Sequence, residues 1–385
     1  MVVALLRPCF LRRVRILIAP DKFKGSLSAL AAAHAIEAGF RSVFPQLLAD
    51  LAPIADGGEG FAEALAAALG AEWVEVASED ALGRPVQARY AWVAATQLAV
   101  IEMSEASGLW RLQPEERDVL CATTHGTGLL LRDAIQRGAR RVLLGLGGSA
   151  TTDGGIGIAR ALGYRFLNDA GGEFQPVPGT FDLLARIVRP AGLVLPEIIA
   201  ASDVQNPLLG ERGTARVYSP QKGADPHTVE VLESAMFLLA ETCAASLGCD
   251  FRPTPGAGAA GGLGFGLLTF CDAQICPGFD IVAETMGLDA RIAASDLVIT
   301  GEGRLDDQTL DGKGPAGIAA RARAAGKKVI AFGGAITETA ERSGVFDALI
   351  PITDRPLPLE EAMREAASLL ERAAARAARL MGCSV

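Results

Sequence analysis

Apolar runs of strand length recur along the chain, each leading into a glycine-rich or acidic stretch and then into helical periodicity. Residues 14–19 (VRILIA) run into DKFKGS and a helix expected over 27–41. A run ending at Ile54 leads to ADGGEG and a helix near 61–69, and RVLLGL at 141–146 leads to GGSATTDGG and a helix near 155–162. Residues 296–300 (DLVIT) precede an acidic glycine-rich loop and a helix over 315–325, while 328–332 (KVIAF) precedes GGAIT. Such strand–turn–helix alternation predicts an α/β protein with mostly parallel sheets.

Two regions depart from the alternation. Residues 72–103 carry three β-rich runs linked by short turns, which predicts an antiparallel meander. Residues 224–292 read as mostly helical, interrupted by a flexible PTPGAGAAGGLGFG, and 358–381 reads as one amphipathic helix. The expectation is two unlike α/β domains. Residues 1–71 and 285–385 make a discontinuous outer domain, and 72–284 make an inserted domain with the meander near its start.

Length and composition agree with that division. A chain of 385 residues exceeds one ordinary core, at roughly 150 residues per domain. Half the residues are hydrophobic but only 5% are aromatic, so Ala, Leu, Val and Ile must fill the cores. A net charge of −9 argues against a nucleic-acid partner, and no apolar run approaches the ~18 residues of a membrane span. The seven cysteines are scattered without metal spacing, which predicts reduced thiols and a cytoplasmic protein. Residues 1–13 lack the apolar core and cleavage site of a secretion signal and read as an extension.

Only six of the 36 basic residues are lysines, and four of those lie in Gly/Asp-rich stretches: Lys22, Lys24, Lys222 and Lys313. Lysine is a compact point charge suited to phosphate and carboxylate loops, whereas this chain otherwise uses arginine. In 295–315, Glu302, Asp306, Asp307 and Asp311 suit a hard metal ion, and Lys313 at a helix entrance suits a phosphate. In GLGGSATTDGG, Gly147 and Gly148 let backbone N–H groups converge on an anion. Ser149, Thr151 and Thr152 add hydroxyls, and Asp153 holds a metal or caps the helix. The same loop meets a loose GxGxxA dinucleotide pattern, with Asp169 at ribose distance; the alternative is an NAD(P)-dependent hydroxy-acid dehydrogenase. Asp56 and Glu59 in ADGGEG, and Asp203 after the run IIAAS, stand where open sheets place catalytic acids, or serve as turn formers. No Walker A or protein-kinase signature occurs. His34 is expected to pack, and His125 to line a cleft.

In order, APDKFKGSLSA, PIADGGEG, EASGL, GTG, GLGGSATTDGG, SDVQNPLLG, GAGAAGGLGFG and TGEGRLDDQTLDGKGP resemble the type 1 glycerate kinase family of bacteria, from Arg15 to the last helix. The resemblance implies ATP- and Mg²⁺-dependent phosphorylation of D-glycerate, usually to 2-phosphoglycerate. It implies an outer Rossmann-like and an inserted flavodoxin-like domain. Phosphoryl-transfer logic then predicts ATP phosphates on Gly147, Gly148, Ser149, Thr151 and Thr152 with Lys313, and the metal on carboxylates among Glu302, Asp306 and Asp203. Lys22 or Lys24 would meet the substrate carboxylate, and Asp203, then Asp56, would accept the hydroxyl proton. A non-catalytic organic-acid-binding protein is the remaining alternative, and homo-oligomerisation stays open.

Overall fold

A computed structural model describes residues 14–55, 57–310 and 314–382. Contacts divide them into an outer unit, running to Ile54 and again from Gly287, and an inserted unit, Ala55–Met286. The first boundary therefore falls before the ADGGEG turn and its helix rather than near residue 72. That helix, Phe61–Leu69, packs against strands of the inserted unit.

The outer unit is wholly parallel. Strands β1 (Arg15–Ile18) and β2 (Leu48–Leu51) belong to it. The inserted unit contributes β3 (Glu72–Glu79), β4 (Pro85–Val93), β5 (Leu98–Glu102), β6 (Arg141–Gly145), β7 (Arg165–Leu167), β8 (Arg186–Val188), β9 (Glu197–Ala201) and β10 (Gln274–Cys276). The outer unit resumes with β11 (Leu297–Leu305), β12 (Lys328–Ile336) and β13 (Ala348–Pro351). Its sheet runs β13-β12-β11-β1-β2, so the chain leaves β1 on one side and returns on the other. Ile16, Leu17 and Ile18 are fully buried, the continuous apolar run expected of a parallel strand covered on both faces.

One of those covers is the helix Ala29–Arg41. Ser28 caps it, accepting from Ala31 N at 3.2 Å, and Ala32, Ala35, Ile36, Gly39 and Phe40 form its buried face. Gly39 is required there: a Cβ would stand 2.3 Å from the carbonyl oxygen of Glu371 on the helix Ala366–Gly382. That final helix is separate from the short Leu359–Arg364, so the region 358–381 holds two helices, not one.

The inserted unit orders its main sheet β10-β9-β6-β5-β4-β3. The pairs β3–β4 and β4–β5 are antiparallel, as the meander predicts, and β5, β6, β9 and β10 are parallel. Strand order overturns both sub-fold expectations. The outer sheet, read from β2, follows the 2-1-3-4-5 order of flavodoxin rather than a Rossmann order. The inserted sheet's parallel strands advance in one direction without reversal. Pairing partners lie far apart along the chain, and local periodicity carries no trace of them.

Two further expectations are corrected. Strand β11 continues through Glu302 and Arg304 to Leu305, paired with an equally long β12, where a loop is expected after residue 300. The glycines here serve close strand approach: a Cβ on Gly301 would meet Phe332 O at 2.5 Å. The stretch 253–266 is packed, not flexible, and much of it enters the buried helix Ala259–Cys271. Each unit keeps its own apolar core, around Phe40 and Leu369 in the outer unit and around Leu144 and Phe265 in the inserted one. No helix among the described residues is long and apolar enough to cross a membrane.

Candidate active site

Parallel strands direct the turns at their carboxyl ends, and open α/β sheets bind ligands there. In the inserted unit those turns follow β5, β6 and β9. Beyond β6, the turn from Gly147 to Gly155 lies against the backbone of Gly58 and Glu59, since a Cβ on Gly147 would meet Gly58 Cα at 2.3 Å. From the other side the kink at Ala260, Gly261 and Gly262, near the start of the glycine-rich helix, presses in. Gly261 (φ +71°) would carry a Cβ 1.9 Å from Thr151 O, so only glycine permits this approach.

Two charged groups hold this turn, one from within as a brace and one from outside as an anchor. Asp153 is fully buried and braces. Its Oδ2 accepts from Thr124 N (2.7 Å), Thr124 Oγ1 (2.9 Å), Thr123 Oγ1 (3.3 Å) and Gly157 N (3.2 Å), and its Oδ1 from Gly155 N (3.1 Å). Oδ2 therefore ties the turn to the residues that open the helix His125–Gln136, and Oδ1 closes the turn on itself, which gives Asp153 the role of a structural cap. Lys222 anchors. It is only 2% exposed, and its Nζ donates to Ser149 Oγ at 2.8 Å and to Thr151 O at 2.6 Å. Burial pulls its pKa down to about 7, with the charge of Asp153 acting in the opposite direction. Thr151 Oγ1 is buried without a hydrogen-bond partner among the described residues, and Thr152 Oγ1 meets Ser219 Oγ at 3.2 Å. An orphaned hydroxyl beside a buried amine and glycine backbone is chemistry that suits an anion.

Glu102 ends β5. Its carboxylate accepts from Gly60 N, Ala62 N and Ser104 Oγ, the first two at the start of the helix Phe61–Leu69. Burial raises its pKa above the ordinary carboxylate range, and the hydrogen bonds oppose the shift. Asp203 follows β9, and its Oδ1 accepts from Gly278 N at 3.1 Å, at the start of the helix Gly278–Thr285. Asp56 lies outside the described residues.

In the outer unit the order reversal puts the crevice between β1 and β11. Asp21 N donates to Gly301 O (2.8 Å), and the buried Asp21 carboxylate accepts from Lys22 N (2.6 Å). Lys22 is half-buried and Lys24 is exposed, and a Cβ on Gly303 would stand 3.1 Å from Lys24 N. Glu302, on β11, accepts from Thr309 Oγ1, while Asp306 pairs with Arg304 at 3.0 Å. Lys313 lies outside the described residues, just ahead of the helix Gly314–Ala324. Among the described residues no three His, Cys, Asp or Glu side chains gather as a metal cluster. Glu302 and Asp306 belong to the outer unit and Asp203 to the inserted one.

Sequence reasoning left out Asp21 and Glu102 and named Lys222 without a place. Both acids end apolar strands, at RILIAPD and LAVIE, and that signal could have found them. His34 is exposed, against the expected packing, and His125 pairs through Nδ1 with Glu79 Oε2 at 2.8 Å. The dinucleotide alternative fails on topology. Asp169 follows β7, which pairs antiparallel with β8 outside the main sheet, whereas a ribose acid needs the adjacent parallel strand.

These features define a mixed α/β protein with mostly parallel sheets and polar turns at the strand ends. The family model described as the glycerate kinase family matches residues 16–382, and the chain belongs to that family. It is 43% identical to a glycerate kinase of Bacillus subtilis (strain 168), over 94% of this chain and 96% of that protein. It is 39% identical to a glycerate 2-kinase of Escherichia coli (strain K12), over 92% and 94%. The crystal structure of a protein assigned as glycerate kinase 2 from Salmonella typhimurium LT2 superposes with a TM-score of 0.86 at 39% identity, covering 96% of this chain and 99% of that one. The protein is thus a kinase, which removes the dehydrogenase and the non-catalytic binder.

Proposed function

We propose that the protein transfers the γ-phosphoryl group of ATP to a hydroxyl of D-glycerate, giving 2-phosphoglycerate, with Mg²⁺ as the metal. The observation that carries the reading is the 147–155 turn, in which Ser149 Oγ and the Thr151 carbonyl accept from a buried lysine while the Thr151 hydroxyl, among the described residues, is left without a partner. Gly147, Gly148, Ser149, Thr151 and Thr152 are the proposed phosphate contacts, with Lys313 as a further cation. Glu302 and Asp306 are the proposed metal carboxylates. Mg²⁺ needs only one or two such ligands when phosphate oxygens and water complete its shell, so their number fits. Bound Mg²⁺ neutralises phosphate charge.

Lys22 or Lys24 is proposed to hold the substrate carboxylate, as a flexible point charge can. Asp203 is the proposed acceptor of the hydroxyl proton, with Asp56 as second candidate. The Gly278 N–H at the helix start orients the Asp203 carboxylate. The new O–P bond forms as the bond to ADP breaks, and the hydroxyl proton passes to the carboxylate. An ADP-release assay with D-glycerate, L-glycerate, glycerol and hydroxypyruvate, each with and without EDTA, tests the reading. Turnover with D-glycerate that EDTA abolishes is expected; equal turnover in excess EDTA would remove the metal.

A further inference from the structure

The inference deepens the reading above, because it rests on an anion occupying the 147–155 turn. An ammonium group has three donors and no acceptor. Ser149 Oγ and Thr151 O must therefore both act as acceptors toward Lys222 Nζ. The single hydrogen of the Ser149 hydroxyl cannot point at Nζ, and among the described residues it has no other partner. It remains available to an anion. The Thr151 carbonyl, whose negative end would repel a phosphate, is drawn toward the lysine.

We propose that Lys222 is a positioning residue that sets the hydrogen-bond polarity of the turn, making Ser149 a donor and keeping the Thr151 carbonyl turned away from bound phosphate. Its position is built for this. The residue sits in the short turn Pro220–Lys222, with Gln221 O held by Arg117 Nη1 and Gly223 (φ +101°) against Arg117 Cβ. The stem is wholly enclosed, so the amine has little freedom to leave its two acceptors.

The arrangement makes the polarity depend on protonation. A neutral amine gains a lone pair and can accept the Ser149 O–H, which then turns inward and is lost to the anion. Burial brings this change near neutral pH. Asp153, in the 147–155 turn, favours the protonated form, while Arg117 reaches the lysine's turn at Gln221 O and Asp225 caps the helix that follows it. The donor is present below the lysine's pKa and disappears as pH rises through it.

The test is steady-state kinetics from pH 6 to pH 8.5 on the full chain, comparing wild type, Lys222→Met, Ser149→Ala and the double variant. Wild-type KM for ATP is expected to rise with pH by about tenfold, the worth of one hydrogen bond. Lys222→Met should show a raised, pH-independent KM for ATP and an unchanged KM for D-glycerate, and the double variant should be no worse than either single one. A rise in both KM values, or additive losses in the double variant, would overturn the proposal. Should Lys222→Met not fold, wild type against Ser149→Ala still decides, because the hydroxyl's share of the pH dependence must vanish with the serine and flatten the variant's profile relative to wild type. That comparison also cancels titration of the nucleotide itself. If wild type makes no ADP with D-glycerate, the functional reading falls separately. Calorimetric titration with ADP over the same pH range then judges the lysine: weaker binding at high pH in wild type alone supports it, and parallel profiles in wild type and Ser149→Ala refute it.

Discussion

The two strand-end regions use opposite means. In the inserted unit, Lys222 is buried, Asp153 is saturated by hydrogen bonds, and glycines bring backbone to within contact of backbone. In the outer unit, Lys24 is exposed, Lys22 is half-buried and Glu302 stands part-buried on a strand. A preorganised turn pays its ordering cost during folding and presents fixed donors; long exposed side chains pay it on binding. The first region should therefore be sensitive to shape and the second to charge.

The largest effect is expected from Asp203→Asn. If the residue accepts the proton, turnover should fall roughly 10²–10⁴-fold with an unchanged melting temperature, because Asn keeps the cap on Gly278 N. Near-normal turnover across a magnesium titration would make Asp203 a cap alone and move the proton acceptor to Asp56. Next comes Gly261→Ala, which should cost on the order of 3 kcal/mol or more, since its Cβ would overlap Thr151 O at a left-handed backbone position. Denaturant melts should show the loss, and unchanged stability would mean the turn is looser than its contacts imply.

Lys22→Ala and Lys24→Ala should each leave stability within ~0.5 kcal/mol, and at least one of them should raise KM for D-glycerate. Loss of a charge-assisted contact costs about 2–3 kcal/mol, tens- to hundreds-fold in efficiency. Wild-type kinetics in both variants would break the claim that charge dominates the outer region. The smallest effect is expected from Ser28→Ala, far from either turn, at about 1 kcal/mol of stability with unaltered kinetics. A kinetic defect there would show that the outer region is not as independent of its scaffold as proposed.

How much of this was legible in the chain can be told residue by residue. The 147–155 turn is readable because glycines and hydroxyls between an apolar run and a helix leave few other uses for that composition. Lysine scarcity pointed to Lys222, but its partners, Ser149 and Thr151, are more than seventy residues away and invisible to local pattern. The 253–266 stretch reads as flexible because glycine supports both looseness and close approach, and only the neighbour at Thr151 distinguishes them. Strand β11 was cut short at residue 300 for the same reason.

Periodicity alone was enough for the alternation of strands and helices, the meander at 72–103 and the polar turns that end the strands, because burial on one face or both repeats at short range. Strand order lay beyond it. The reversal at β1 and β11, which marks the outer crevice, joins segments some 280 residues apart, and hydrogen bonds between them depend on the folded backbone. The same holds for the amine of Lys222, whose acceptors, Ser149 Oγ and Thr151 O, are set beside it by the folded chain and by no pattern near residue 222.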